Sequence, residues 1–218
     1  MQLVERHRLS LDDTVGKWVP DVPAALQPIT VRQLLSHQSG IRHYSAQEDD
    51  SSKHYPQHYA SLRDALAIFK NAPLVHVPGT KMTYSTYAYT LLGVIIEKAS
   101  GQNYVDFVTE NIFKPLGMLH SQRDDPHAIV LNRSRGYAKT DAGSFRNAGF
   151  MDPSYKIPGG GWIPVLIASS ILGGLFRVAT IALWFVRVGL RPLTPDGLPV
   201  NFCAVQHVKP ATYTSAHR

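Results

Sequence analysis

The stretch Pro78-Gly-Thr-Lys-Met-Thr-Tyr84-Ser-Thr-Tyr-Ala-Tyr89-Thr-Leu-Leu-Gly93-Val-Ile-Ile-Glu97-Lys-Ala-Ser-Gly101 decides the fold. Leu91, Leu92, Ile95, Ile96 and Ala99 form a wide apolar stripe at helical period. The pattern predicts a helix from about Ser85 to Ser100, with Lys98 in its last turn and Gly101 as the closing glycine. The Pro78-Gly79 turn delivers Tyr84 to the N-terminal end of that helix. Helix N-termini carry partial positive charge and unpaired N–H groups. Both favour the ionised form of a phenol placed there, which makes Tyr84 a candidate proton acceptor. The alternative is a packing tyrosine with a polar tip.

Further helices flank this one. Thr30-Val-Arg-Gln33 has the form of a capping box and opens a short helix through Leu34 and Leu35, stopped by Ser39-Gly40. Residues 42–60, polar and rich in His and Tyr, read as a surface loop. Ser61-Leu-Arg-Asp64 starts a helix with Leu62, Ala65, Leu66 and Phe69 on one face. Another helix carries Tyr104, Phe107, Val108 and Ile112 and ends at Pro115-Leu-Gly117. Gly136-Tyr-Ala and Ser144-Phe-Arg around Thr140-Asp-Ala-Gly143 predict a hairpin. Gly159-Gly160-Gly161 reads as a breaker. The start of the chain, with Leu3 and Val4 apolar and Leu9 and Leu11 flanking Ser10 before Asp12-Asp13, reads as the tail of a helix, with the expectation that sequence upstream of Met1 is missing; no signal peptide is visible.

Composition bounds the remaining classes. The 218 residues are 44% hydrophobic and 17% charged, which excludes a disordered chain. A single cysteine, Cys203, excludes a disulfide framework. The net charge of +6 is unevenly spread: residues 163–218 hold five Lys/Arg and one acid, whereas the preceding 162 residues hold 17 basic and 15 acidic groups. The body is nearly balanced and lacks a basic stripe with interleaved aromatics, so no nucleic-acid partner is expected.

Other constellations are weak. His54-x-x-x-His58 has helical metal spacing but no Glu and no third ligand, in a Pro-containing loop, so no metal site is expected. His37 and His43 flank Ser39, but Gly-x-Ser-x-Gly is absent and helix termination explains the serine better. The Gly triplet lacks the Lys-Ser/Thr of a phosphate loop. Residues 163–186 are long and apolar enough to cross a bilayer, yet carry Arg177, two glycines and a proline; a membrane span is not the favoured reading.

Residues 1–162 resemble the β-lactamase-like serine hydrolases, which include class C β-lactamases, D-alanyl-D-alanine carboxypeptidases and a mitochondrial branch. The runs that carry the likeness are Gln2-Leu-Val-Glu with Leu9-Ser-Leu-Asp-Asp13, Leu34-Leu-Ser-His-Gln-Ser-Gly-Ile-Arg-His-Tyr44, Tyr84-Ser-Thr in its helix, and Ser154-Tyr-Lys-Ile-Pro-Gly-Gly-Gly-Trp162. The resemblance implies an α+β fold of the β-lactamase/transpeptidase type, a helical region packed on an antiparallel sheet; here the helical region is expected with most of the sheet missing. It implies acyl transfer by a Ser-x-x-Lys pair and no cofactor. It makes Tyr84 the proton-relaying catalytic phenol and sets Thr86 at the substrate-binding position, where many relatives carry Asn. Tyr-Ser-Thr points to the mitochondrial branch. Mitochondrial localisation is then implied for a eukaryotic source and an extracytoplasmic one for a bacterial source.

No Ser-x-x-Lys, Lys-Thr-Gly or His-x-Gly occurs in the 218 residues. This chain is therefore expected to be an inert fragment of an enzyme that takes a small peptide, ester or lactam. A non-catalytic scaffold forming homo-oligomers and a membrane-anchored binding protein are the competing readings. Resemblance and periodicity both stop after Trp162, so residues 163–218 are expected to be a frame-shifted or intron-read tail.

Overall fold

Helix α5 (Thr86–Ser100) is the element around which the others gather. The computed structural model describes residues 1–45, 48, 55–131, 133–134 and 136–163. Cys203, His54 and the apolar run after Ile163 lie outside the described residues. Helices α1 (Gln2–Glu5), α2 (Val15–Trp18), α3 (Val31–Leu35), α4 (Leu62–Ala65), α6 (Tyr104–Val108) and α7 (Ile157–Gly160) all contact α5. With neighbours on several sides, α5 buries more than its predicted stripe. Leu91, Leu92, Ile95 and Ala99 are buried, and so are Tyr87, Ala88, Thr90 and Val94. Burying a side chain of Leu or Ile size contributes about 1.5–3 kcal/mol, so this helix anchors the core.

Local signals set the helix ends. Ser85 caps α5 by accepting the Ala88 N–H at 3.1 Å, and Gly101, at φ +71°, closes it. The predicted capping box forms: Thr30 Oγ1 accepts the Gln33 N–H at 3.2 Å, and the Thr30 N–H donates to Gln33 Oε1 at 3.0 Å. Ser61 caps α4, whose chain continues as a 3₁₀ turn over Leu66–Ile68. Beyond α6 the helix widens into a π-helical stretch over Thr109–Phe113. Leu3 of α1 is buried with Ala99 and Phe107, which ties the first residues to the end of α5 and to α6.

The β structure is small. Strands β1 (Gln122–Arg123) and β4 (Trp162–Ile163) pair antiparallel, with Gln122 opposite Ile163. Strands β2 (Tyr137–Lys139) and β3 (Phe145–Asn147) form the predicted hairpin, with Ala138 opposite Arg146. Among the described residues the fold is therefore the mainly helical part of an α+β architecture.

One expectation is corrected. The Gly triplet does not simply break the chain: Gly159 and Gly160 complete α7, and the turn comes at Gly161. A side chain at Gly159 would meet the Thr86 methyl at 2.4 Å, so glycine is what lets α7 pack on α5. The end of the 42–60 segment is surface loop as expected, tied down at Tyr55. The Tyr55 N–H donates to Phe150 O at 2.7 Å and the Asp152 N–H donates to Tyr55 O at 2.9 Å. Among the described residues no helix is long and apolar enough to cross a membrane.

Candidate functional site

Tyr84 stands directly before the Ser85 cap and is 46% exposed. Its ring lies 4.6 Å from that of His37 and 5.0 Å, edge-on, from that of His43. The same imidazoles receive the first N–H groups around the start of α5. The Ser85 N–H donates to His37 Nδ1 at 3.3 Å, and the Thr86 N–H donates to His43 Nδ1 at 3.3 Å. A nitrogen that accepts carries no proton, so each ring that makes this bond presents its Nε2 as the N–H side. Burial lowers the His37 pKa from its usual value, and the neighbouring His43 lowers it further. Two neutral imidazoles thus flank the exposed phenol and take up helix N–H groups that otherwise lack partners.

Sequence reasoning set His37 and His43 aside together with Ser39. Ser39 is fully buried and its Oγ accepts the Ile41 N–H at 3.2 Å, in keeping with a turn residue. The histidines face Tyr84 and the α5 terminus. His37 is held for this by a left-handed backbone (φ +57°) and by its carbonyl, which accepts the Thr83 N–H at 2.8 Å. Thr86 is buried, with its methyl against Gly159.

An aromatic wall continues from His43. Tyr44 stacks on His43 at 4.3 Å and meets Tyr87 edge-on at 5.1 Å. The Tyr44 hydroxyl is buried, and burial pushes its pKa far up. The Lys156 ammonium lies 5.9 Å from the Tyr44 ring and 5.7 Å from the Tyr155 ring. Behind the wall, Arg42 grips Glu48 with both ends of its fork, at 2.7 and 3.1 Å, and the Tyr87 hydroxyl donates to the same carboxylate at 3.0 Å. Burial alone would raise the Glu48 pKa, but hydrogen bonds from Arg42, Ser45 and Tyr87 hold it down at about 2. Nothing in the spacing of Arg42, Glu48 and Tyr87 flagged this network; the capping logic around Ser85 was the only local signal near it.

A model of the β-lactamase family matches residues 1–168. The serine β-lactamase-like protein of human mitochondria (Homo sapiens) is 27% identical over 254 aligned residues, covering 87% of this chain and 45% of that protein. A D-stereospecific amidohydrolase from a Streptomyces species superposes with a TM-score of 0.62 at 28% identity, over 74% of this chain and 51% of that one. An octameric penicillin-binding protein homologue from Pyrococcus abyssi gives a TM-score of 0.60 at 30% identity, over 75% of this chain and 38% of that one. The chain thus spans less than half the length of the human relative and about half of the Streptomyces one.

Proposed function

Because the chain belongs to the β-lactamase family, we propose that it is the helical part of a serine hydrolase in which Tyr84 relays a proton during acyl transfer. In this reading a serine Oγ attacks the acyl carbon of an amide, ester or lactam. Its proton passes through Tyr84 Oη to the departing nitrogen or oxygen, leaving an acyl-enzyme that water cleaves by the reverse relay. The observation that carries the reading is Tyr84 itself, an exposed phenol at the start of α5 held between His37 and His43. Neutral histidines suit that position, because two cations there would oppose the partial positive charge of the helix end. Thr86 keeps a substrate-binding role in this reading through its hydroxyl.

The 218 residues contain no Ser-x-x-Lys, so the nucleophile and its ammonium would come from sequence outside them, and this polypeptide alone would be inert. Labelling by a fluorophosphonate probe tests it: none on the 218 residues, and one labelled serine once a Ser-x-x-Lys helix and the closing strands are restored. A restored, folded chain that takes no label would favour a non-catalytic assembly protein. We extend the proposal to residues 163–218 as a tail out of frame with a 1–162 partial domain; sequencing the transcript across the Trp162 codon decides it.

A further inference from the structure

Away from Tyr84, three segments distant in sequence bring His58, His127 and Asp152 together. His58 lies just before α4, His127 in the loop after β1, and Asp152 caps the 3₁₀ turn over Pro153–Lys156. The Asp152 side chain is only 1% exposed. Its Oδ1 accepts the Ser154 N–H at 2.8 Å, which leaves Oδ2 turned toward the two imidazoles. Oδ2 lies 2.8 Å from His58 Nδ1 and 3.3 Å from His127 Nε2. The rings meet edge-on with centroids 5.7 Å apart, and one ligand atom from each residue fits within a span of 4.8 Å.

We propose that His58, His127 and Asp152 form a binding site for one Zn²⁺ ion. At Zn–N and Zn–O bonds of about 2.0–2.1 Å, neighbouring ligand atoms of a tetrahedral site stand roughly 3.3 Å apart. The 3.3 Å separation of Asp152 Oδ2 and His127 Nε2 is of that size, whereas the 2.8 Å hydrogen bond between Oδ2 and His58 Nδ1 would open by about 0.5 Å as the two surface imidazoles rotate to take the ion. A donor set of two imidazoles and one carboxylate suits a borderline first-row dication and not Mg²⁺ or Ca²⁺, which take oxygen. The exposed side of both rings leaves a fourth position for water, as in open zinc sites.

The surroundings are built for a fixed ligand set. The Tyr59 N–H donates to Ser154 Oγ at 2.9 Å, which joins the His58 segment to the Asp152 turn beside the Tyr55 bridge. The His127 N–H donates to Asp125 Oδ1 at 2.9 Å, and Asp125 is itself paired with Arg123. Asp152 forms ion pairs with these two histidines. A buried carboxylate needs compensating charge, and a dication between the rings supplies it. Zinc there would fasten the 55–59 segment, the loop after β1 and the 3₁₀ turn to one another. This inference does not depend on the acyl-transfer reading.

The test is calorimetric titration of the full chain, freed of metal by chelator, with Zn²⁺ and separately with Mg²⁺. One Zn²⁺ per chain should bind, Mg²⁺ should not, and the thermal midpoint should rise with zinc. His127→Gln and His58→Gln, each removing a ligand, should weaken binding by more than about 100-fold, beyond the 10–100-fold of a lost outer-shell partner. Affinity retained in either variant, as from other histidines, overturns the proposal, and so does absence of zinc binding. If the variants do not fold, X-ray absorption of the zinc-loaded full chain decides: two imidazoles and a carboxylate in the first shell support the site, and any other ligand set overturns it.

Discussion

His37 Nδ1 accepts the backbone N–H of Ser85 at 3.3 Å, so an imidazole from the turn after α3 terminates α5. Protonation would remove the acceptor and set a cation on the positive end of the helix. The His37 pKa is lowered in the folded state, by burial first and His43 second, from an ordinary 6.5. Unfolded chains therefore take up this proton first. Stability is intact above pH 6.5 and falls as pH drops through the lower folded value. His37→Asn keeps an acceptor and tolerates the left-handed backbone. Chemical denaturation from pH 8 to pH 5 should find the wild-type slope flattened in this variant, with less than about 1 kcal/mol lost at pH 8.

Glu48 governs a second, lower window. Its pKa is held at about 2 against an ordinary 4.5. The stability it contributes is complete above pH 4.5 and is lost as pH falls toward 2. Glu48→Gln should lose roughly 1.5–3 kcal/mol at neutral pH, the size of a charged hydrogen bond. Denaturation curves between pH 5 and pH 2 should be flatter for this variant than for wild type. An unchanged acid slope would remove Arg42–Glu48–Tyr87 from the account.

Tyr84→Phe removes one hydroxyl that has no hydrogen-bond partner among the described residues. In the chain restored with its nucleophile, kcat for an ester or D-amino-acid amide should fall by about 10²–10⁴-fold, while the unfolding midpoint stays put. Thr86→Val keeps the shape of the buried threonine and removes its hydroxyl, and should act on KM more than on kcat. Equal kcat in the Tyr84→Phe enzyme would return Tyr84 to a packing role.

Gly159 and Thr86 test the packing of α7 on α5. An added Cβ would approach the Thr86 methyl to 2.4 Å. Gly159→Ala should destabilise the protein by about 1–3 kcal/mol, the usual cost of overpacking. Gly159→Ala combined with Thr86→Ser, which removes the opposing methyl, should recover part of that loss in thermal denaturation.

The small sheets leave large apolar side chains in water. Tyr137 and Phe145, both on the β2–β3 hairpin, are more than half exposed. Grouped apolar side chains at a surface favour association. Light scattering after size exclusion should find the 218-residue polypeptide self-associated, and Tyr137→Lys with Phe145→Lys should shift it toward the monomer. A monodisperse monomer would count against this prediction.

The sequence alone determined helices α3 to α6 and the place of Tyr84 at the start of α5, because those features rest on contacts a few residues apart. The apolar repeat of α5, the Ser85 cap, the Thr30–Gln33 box and the Thr140–Gly143 turn are all of this kind, and Tyr84 is tied to α5 by direct succession. Tertiary structure alone decided what surrounds Tyr84. His37 and His43 stand near Ser39 in the chain and suggest a partnership with it, yet the left-handed backbone at His37 turns that ring to α5. Gly159, read as a breaker, proved to be a contact surface, since only packing on Thr86 makes a missing Cβ matter. Asp152 finds His58 across 94 residues of chain and His127 across 25, distances over which spacing carries no signal. What joins them is the burial of one carboxylate: its oxygen must find partners, and only the folded chain determines which groups are within reach.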